Sequence, residues 1–136
     1  PFSDAVMSTG LYNARGKGIA AKIDALAPGR TVLRAELNYR ARCSSGGNLR
    51  SGRIFYNYLL SESGRRIIAG RARFRIRKDN VTVRVRFRLG FRFFQSAGYK
   101  VAGSWSVRAK VFRRGQQIDA CRMNKPFKGT LAGPPA

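Results

Sequence analysis

Histidine is absent from this chain, and only six residues are acidic. The first absence removes the commonest general base and the usual partner that activates a serine or cysteine nucleophile. It also leaves zinc short of ligands, because a structural site takes about four and the two cysteines form no CxxC pair. No stretch approaches the roughly 20 apolar residues of a membrane span, and no basic-then-apolar signal region opens the chain. A start at Pro1 fits a mature secreted product, a processed subunit or an excised domain alike. Phosphate-binding loops of the GxxxxGKS/T or GxGxxG type are missing too, Gly16-Lys17-Gly18 being only a short glycine motif. Any anion site must therefore be built from side chains.

What remains is cationic. Lys and Arg together number 28, giving a net charge of +22 and a pI near 11.7, and 21 of the 28 are Arg. The planar guanidinium suits phosphate, sulfate and carboxylate better than an ammonium does. With 43% hydrophobic residues in 136, the chain has enough apolar material for one folded domain.

The charge is ordered along Arg65 to Arg92. From Ala69 to Leu89 apolar residues recur at every second position, which is the period of a strand with one buried face. Lys78-Asp79-Asn80 interrupts the run with residues that tolerate a tight turn, so the stretch predicts a hairpin. A two-residue turn at Asp79-Asn80 would pair Lys78 with Val81, Ile76 with Val83 and Phe74 with Val85. On the other face it would set Arg75 against Arg84, Arg73 against Arg86 and Arg71 against Arg88, with Arg77 beside Thr82. Like charges across a sheet cost something like 0.2–1 kcal/mol per pair. Such a ladder is unfavourable unless an anion occupies it.

Elsewhere the same alternation predicts further strands. Thr31 to Cys43 places Leu33, Ala35, Leu37, Tyr39 and Ala41 on one face. Arg53 to Leu60 puts Ile54, Tyr56 and Tyr58 on the face opposite Phe55. Tyr99 to Phe112 sets Val101, Trp105, Val107 and Val111 in phase, away from Arg108 and Lys110, and Gln117 to Arg122 reads as a short strand. Trp105 thus belongs to the core, while Phe55 and Phe112 fall out of phase and become candidate subunit contacts or stacking surfaces. Ile19 to Ala27 fits helix and strand, and the β character downstream favours strand. Residues 1–29 read as an N-terminal arm or edge strand, 30–131 as the main domain and 132–136 as a tail or linker. Short strands divided by turn residues predict an all-β antiparallel sandwich, or alternatively a barrel or jelly roll.

Cys43 and Cys121 each lie near a strand end. A bridge closing so long a loop would stabilise by about 4–5 kcal/mol in the chain-entropy model and would imply an oxidising compartment. Two buried free thiols are the alternative, with a redox or metal role a distant third. No two of the acids, Asp4, Asp24, Glu36, Glu62, Asp79 and Asp119, share a spacing that suggests a catalytic pair. Glu36 is expected to pair locally with arginine.

The segment GSWSVRAKVFRRGQQIDACR, with YRARCSSGG upstream, resembles the Arg-rich secreted β-sandwich domains of high-GC actinobacteria. The likeness spans about Arg30 to Phe127. It implies an immunoglobulin-like sandwich with a Cys43–Cys121 bridge outside the cytoplasm, and it brings no catalytic residues.

The expected function is therefore that of a non-catalytic, cofactor-free module. It would bind anionic cell-wall or matrix polymers, or nucleic acid without sequence preference, through Arg71, Arg73, Arg75, Arg77, Arg84, Arg86 and Arg88. Its place would be extracellular or at the cell surface. The alternative is a structural coat, decoration or filament subunit in a virion or other particle, forming homo-oligomers with its basic face against nucleic acid or an acidic neighbour.

Overall fold

Alternating apolar and charged residues become strands along almost the whole length of the chain. The computed structural model describes residues 6–133. Eight strands follow one another: β1 (Gly10–Gly16), β2 (Ile19–Leu26), β3 (Thr31–Cys43), β4 (Asn48–Leu59), β5 (Arg65–Ile76), β6 (Val81–Gln95), β7 (Tyr99–Arg113) and β8 (Gln116–Gly133). All pair antiparallel in one sheet of order β4-β3-β2-β1-β8-β7-β6-β5.

Neighbours in the sheet are neighbours in the chain, except where β1 meets β8 and where the end of β3 meets β8. The pairing of β1 with β8 joins two four-stranded meanders, leaving β4 and β5 as the edges. This is the up-and-down order of the barrel alternative, and no immunoglobulin-like Greek-key crossing occurs among these pairings. The sheet rolls so that its edges face each other. Phe55 of β4 packs 5.6 Å from Phe87 of β6 and 6.2 Å from Trp105 of β7. At the seam the Arg66 guanidinium of β5 lies 5.2 Å from the Tyr58 ring of β4.

The core is one cluster built around Trp105, which is fully buried, as its phase predicts. Phe87 stacks on it at 5.7 Å and Tyr39 tilts against it at 5.4 Å, while Tyr12 and Phe93 meet edge-on at 4.9 Å. Burial pushes the Tyr12 and Tyr39 phenols above their ordinary pKa. Strands β1 and β8 approach so closely that a Cβ on Gly129 would lie 1.8 Å from the Asn13 carbonyl oxygen.

Several expectations change here. Residues 10–26, expected within an arm or edge strand, form two interior strands whose residues Tyr12, Ala14, Ile19, Ala21 and Ile23 enter the core. The start of that arm, residues 1–5, and the end of the expected tail, residues 134–136, lie outside the described residues. Strand β8 is far longer than Gln117 to Arg122, because its second half is needed to pair with β1. Phe55 is core rather than interface: it is 5% exposed, whereas Tyr56 is 58% exposed and Ile54 also faces out. The reason is a paired irregularity in which Leu33 and Asn57 drop out of the β3–β4 register, with Asn57 at φ 58°. That step reverses the inward phase of β4 between Phe55 and Tyr58, and it turns Leu33 outward.

Candidate anion-binding face

The hairpin Arg65–Gln95 forms, with its register displaced by two residues from the expected one. Ile76 pairs with Val81, Arg75 with Thr82, Phe74 with Val83, Arg73 with Arg84 and Arg71 with Arg86. The displacement follows from the turn. A two-residue hairpin turn of the favoured kind needs positive φ at both central residues. Here Asn80 is left-handed at 52° and Asp79 is not, so Arg77 to Asn80 form a four-residue loop closed by the Asn80 N–H donating to the Arg77 carbonyl at 3.3 Å. Arg77 accordingly lies in the loop and not in the ladder. Because the shift is even, every other side chain keeps its face.

All of Arg71, Arg73, Arg75, Arg84, Arg86 and Arg88 are exposed on the outer surface. Arg75 donates through Nη2 to Asn80 Oδ1, which ties it to the loop. Arg88 faces Ala69 and Ser106, so it extends the patch without a like-charged neighbour directly across. The Arg84 guanidinium stacks 4.8 Å from the Phe112 ring, a contact worth about 0.5–1 kcal/mol at an exposed site. Phe112 is half-buried on this face, beside Thr82.

The ladder continues into strands that the sequence does not place beside it. Arg86 pairs with Arg108 on β7, Arg108 with Arg122 on β8, and Arg122 with Arg42 on β3. The result is a row, Arg71–Arg86–Arg108–Arg122–Arg42, crossing five strands. A second row runs Arg73–Arg84–Lys110 beside it. Sheet geometry spaces such side chains about 4.8 Å across strands and about 6.8 Å along them, so the long row reaches roughly 19 Å. Alternation alone marks Arg108, Lys110, Arg122 and Arg42 as outward residues. Only the strand order could line them up.

Among the described residues no acid stands in either row. The one ion pair among the described residues is Arg34–Glu36 at 3.6 Å on β3, as expected for Glu36, and the facing strand carries Lys22 opposite Glu36 and Asp24 opposite Arg34. That part of β2 and β3 is thus mixed in sign, whereas the two rows hold only basic residues. Asp79 accepts from Arg113 through its backbone carbonyl, at 3.3 Å.

A disulfide joins Cys43 to Cys121, directly across the β3–β8 pairing and one residue from Arg42 and Arg122. Asp119 clusters with the two sulfurs, but the bridge leaves neither as a thiolate to bind a metal. Its carboxylate instead accepts from the Ser45 hydroxyl at 2.6 Å and from the Ala120 N–H at 2.9 Å. The Ser45 hydrogen bond, chiefly, holds the Asp119 pKa below its ordinary value. The four like-charged contacts of the long row sum to about 1–4 kcal/mol of repulsion, which a bridge worth about 4–5 kcal/mol can offset.

No helix of the described residues is long and apolar enough to cross a membrane. The surface of β5 to β8 carries arginine where a membrane barrel would present an apolar band. No protein-family model, curated protein or solved structure matches this chain, so its function has to be read from the side chains just described.

Proposed function

We propose that this chain is a non-catalytic module that holds polyanions against its arginine face. The observation that carries the reading is the five-strand row of Arg71, Arg86, Arg108, Arg122 and Arg42, with no acid in it. Adjacent guanidinium groups raise the free energy of the free protein, and a polymer of phosphate, sulfate or carboxylate groups relieves it. Anionic cell-wall or matrix polymers and nucleic acid share that chemistry. A broad sheet face has no helix or ribbon to enter a groove and read base edges, so binding is tolerant of sequence. An extracellular or cell-surface place agrees with the disulfide.

The test is the affinity for heparin and for duplex DNA over a range of salt. Binding should weaken steeply as salt rises, because condensed counterions are released from the polymer. An affinity indifferent to salt would overturn the reading, and a selection that returned a sharp consensus sequence would overturn its tolerance.

A second reading, a subunit of a coat, decoration or filament, is favoured by the outward Ile54, Tyr56 and Leu59 of β4, all exposed apolar side chains away from the arginine rows. It predicts oligomers in native mass measurement. A strict monomer at high concentration would count against it.

A further inference from the structure

At one end of the long row the sheet forks. Strands β1 and β2 stop at the turn Lys17-Gly18, and beyond that turn β3 and β8 pair with each other. In the fork lies a cavity of about 500 Å³ ringed by Lys17 from the turn, Arg40 and Arg42 from β3, Arg108 from β7, and Arg122 and Lys125 from β8. None of its lining residues is acidic, and Ser106 and Asn124 add neutral polar groups. This volume falls within the usual range for small-molecule sites, about 300–1,000 Å³. A surface that only tracked a polymer would not need such a concavity.

The ring is also held in place. The Arg40 N–H donates to the Gly18 carbonyl at 2.9 Å, which fastens the turn to β3. On its other side Gly16 sits so close to β8 that a Cβ there would lie 2.0 Å from the Pro126 carbonyl oxygen. The Cys43–Cys121 bridge fixes the spacing of Arg42 and Arg122. Buried Val107 and Met123 line the same cavity and give it an apolar backing.

Six cations around one cavity exceed what a single monoanion can balance, and four of them are arginines, whose fork matches tetrahedral oxyanions. We infer that the fork cavity binds one compact oligophosphate, or the phosphate-bearing end of a longer chain, and so acts as an anchor point within the arginine face. The inference rests on the polyanion reading and specifies its ligand at one position.

Calorimetric titration of the oxidised protein with inorganic tripolyphosphate tests it. Binding should be one to one and should raise the melting temperature. Lys17→Gln with Arg40→Gln, which alters the cavity and leaves the long row intact, should weaken tripolyphosphate by about tenfold or more. Arg71→Gln with Arg86→Gln, at the far end of the row, should instead weaken heparin and duplex DNA and leave the tripolyphosphate stoichiometry at one. Several tripolyphosphate ions per chain, weakened equally by both pairs, would overturn the anchor. So would no binding at all by a wild-type protein that still holds DNA, and the face reading would survive either result. Loss of DNA and heparin binding from the wild type beside intact one-to-one tripolyphosphate binding would remove the face reading alone.

Discussion

Arg42 and Arg122 face each other across β3 and β8, one residue away from the disulfide between Cys43 and Cys121. A covalent tie therefore sits beside a like-charged pair. Reduction should cost about 4–5 kcal/mol of stability from the loop it opens. The loss should be greatest at low salt, where the two guanidinium groups repel least screened, and smaller with heparin present. Urea unfolding with and without reductant, at two salt concentrations, measures both effects. An equal loss at both salts would show that the bridge does not restrain the charges.

Replacing Arg73, Arg75, Arg84 and Arg86 with Thr keeps β propensity and removes four charges from β5 and β6. Stability should hold or rise. Affinity for duplex DNA should fall, and the slope of log K against log salt should shrink by up to roughly 0.9 for each lost phosphate contact. Unchanged binding beside higher stability would retire these residues as a site.

Phe55→Ala should destabilise the fold by about 3–5 kcal/mol, the usual cost of removing a buried aromatic ring. Its neighbour Tyr56 points outward, and Tyr56→Ala should change stability by no more than about 0.5 kcal/mol. Thermal or denaturant unfolding of the two variants distinguishes a core phenylalanine from an interface one. Similar effects from both would contradict the inward phase of β4.

Asp119 has a depressed folded-state pKa, so the sign of its contribution is fixed. The stabilisation is complete above the ordinary carboxylate value of 3.8 and is lost as the pH falls through the lower folded value. Asp119→Asn should lower stability at neutral pH and flatten this part of the acid profile. The same loss in Asp119→Asn at every pH would mean that the carboxylate's charge is not involved.

Much of the architecture is legible because one face of each strand is buried. Alternation locates β3, β6 and β7 and assigns Trp105 to the core, and the even displacement of the β5–β6 register keeps every predicted outward arginine but Arg77 in place. What alternation cannot carry is a local break in its own rhythm. The Leu33–Asn57 irregularity reverses β4, so Phe55 reads as exposed when it is buried. Nor can it show which distant strands lie side by side. Arg42 and Arg122 become neighbours only because β3 runs past the β1–β2 turn to reach β8, a consequence of strand lengths and pairing that no single segment expresses.

The seam between β4 and β5 has an effect beyond the single molecule. Each edge is 12 residues long and, among the described residues, leaves one side of its backbone without a strand partner in the sheet. Long unpaired edges invite strand addition by another copy, and positive charge on an edge opposes it. Strand β5 bears Arg65, Arg66, Arg71, Arg73 and Arg75, so the guanidinium groups that repel one another within a chain should also oppose pairing of this edge with another copy. That guard is electrostatic and can be switched off. Concentrated salt, or a polyanion matching the protein's charge, should turn a dispersed solution cloudy, and excess polyanion should clear it by reversing the sign of the particles.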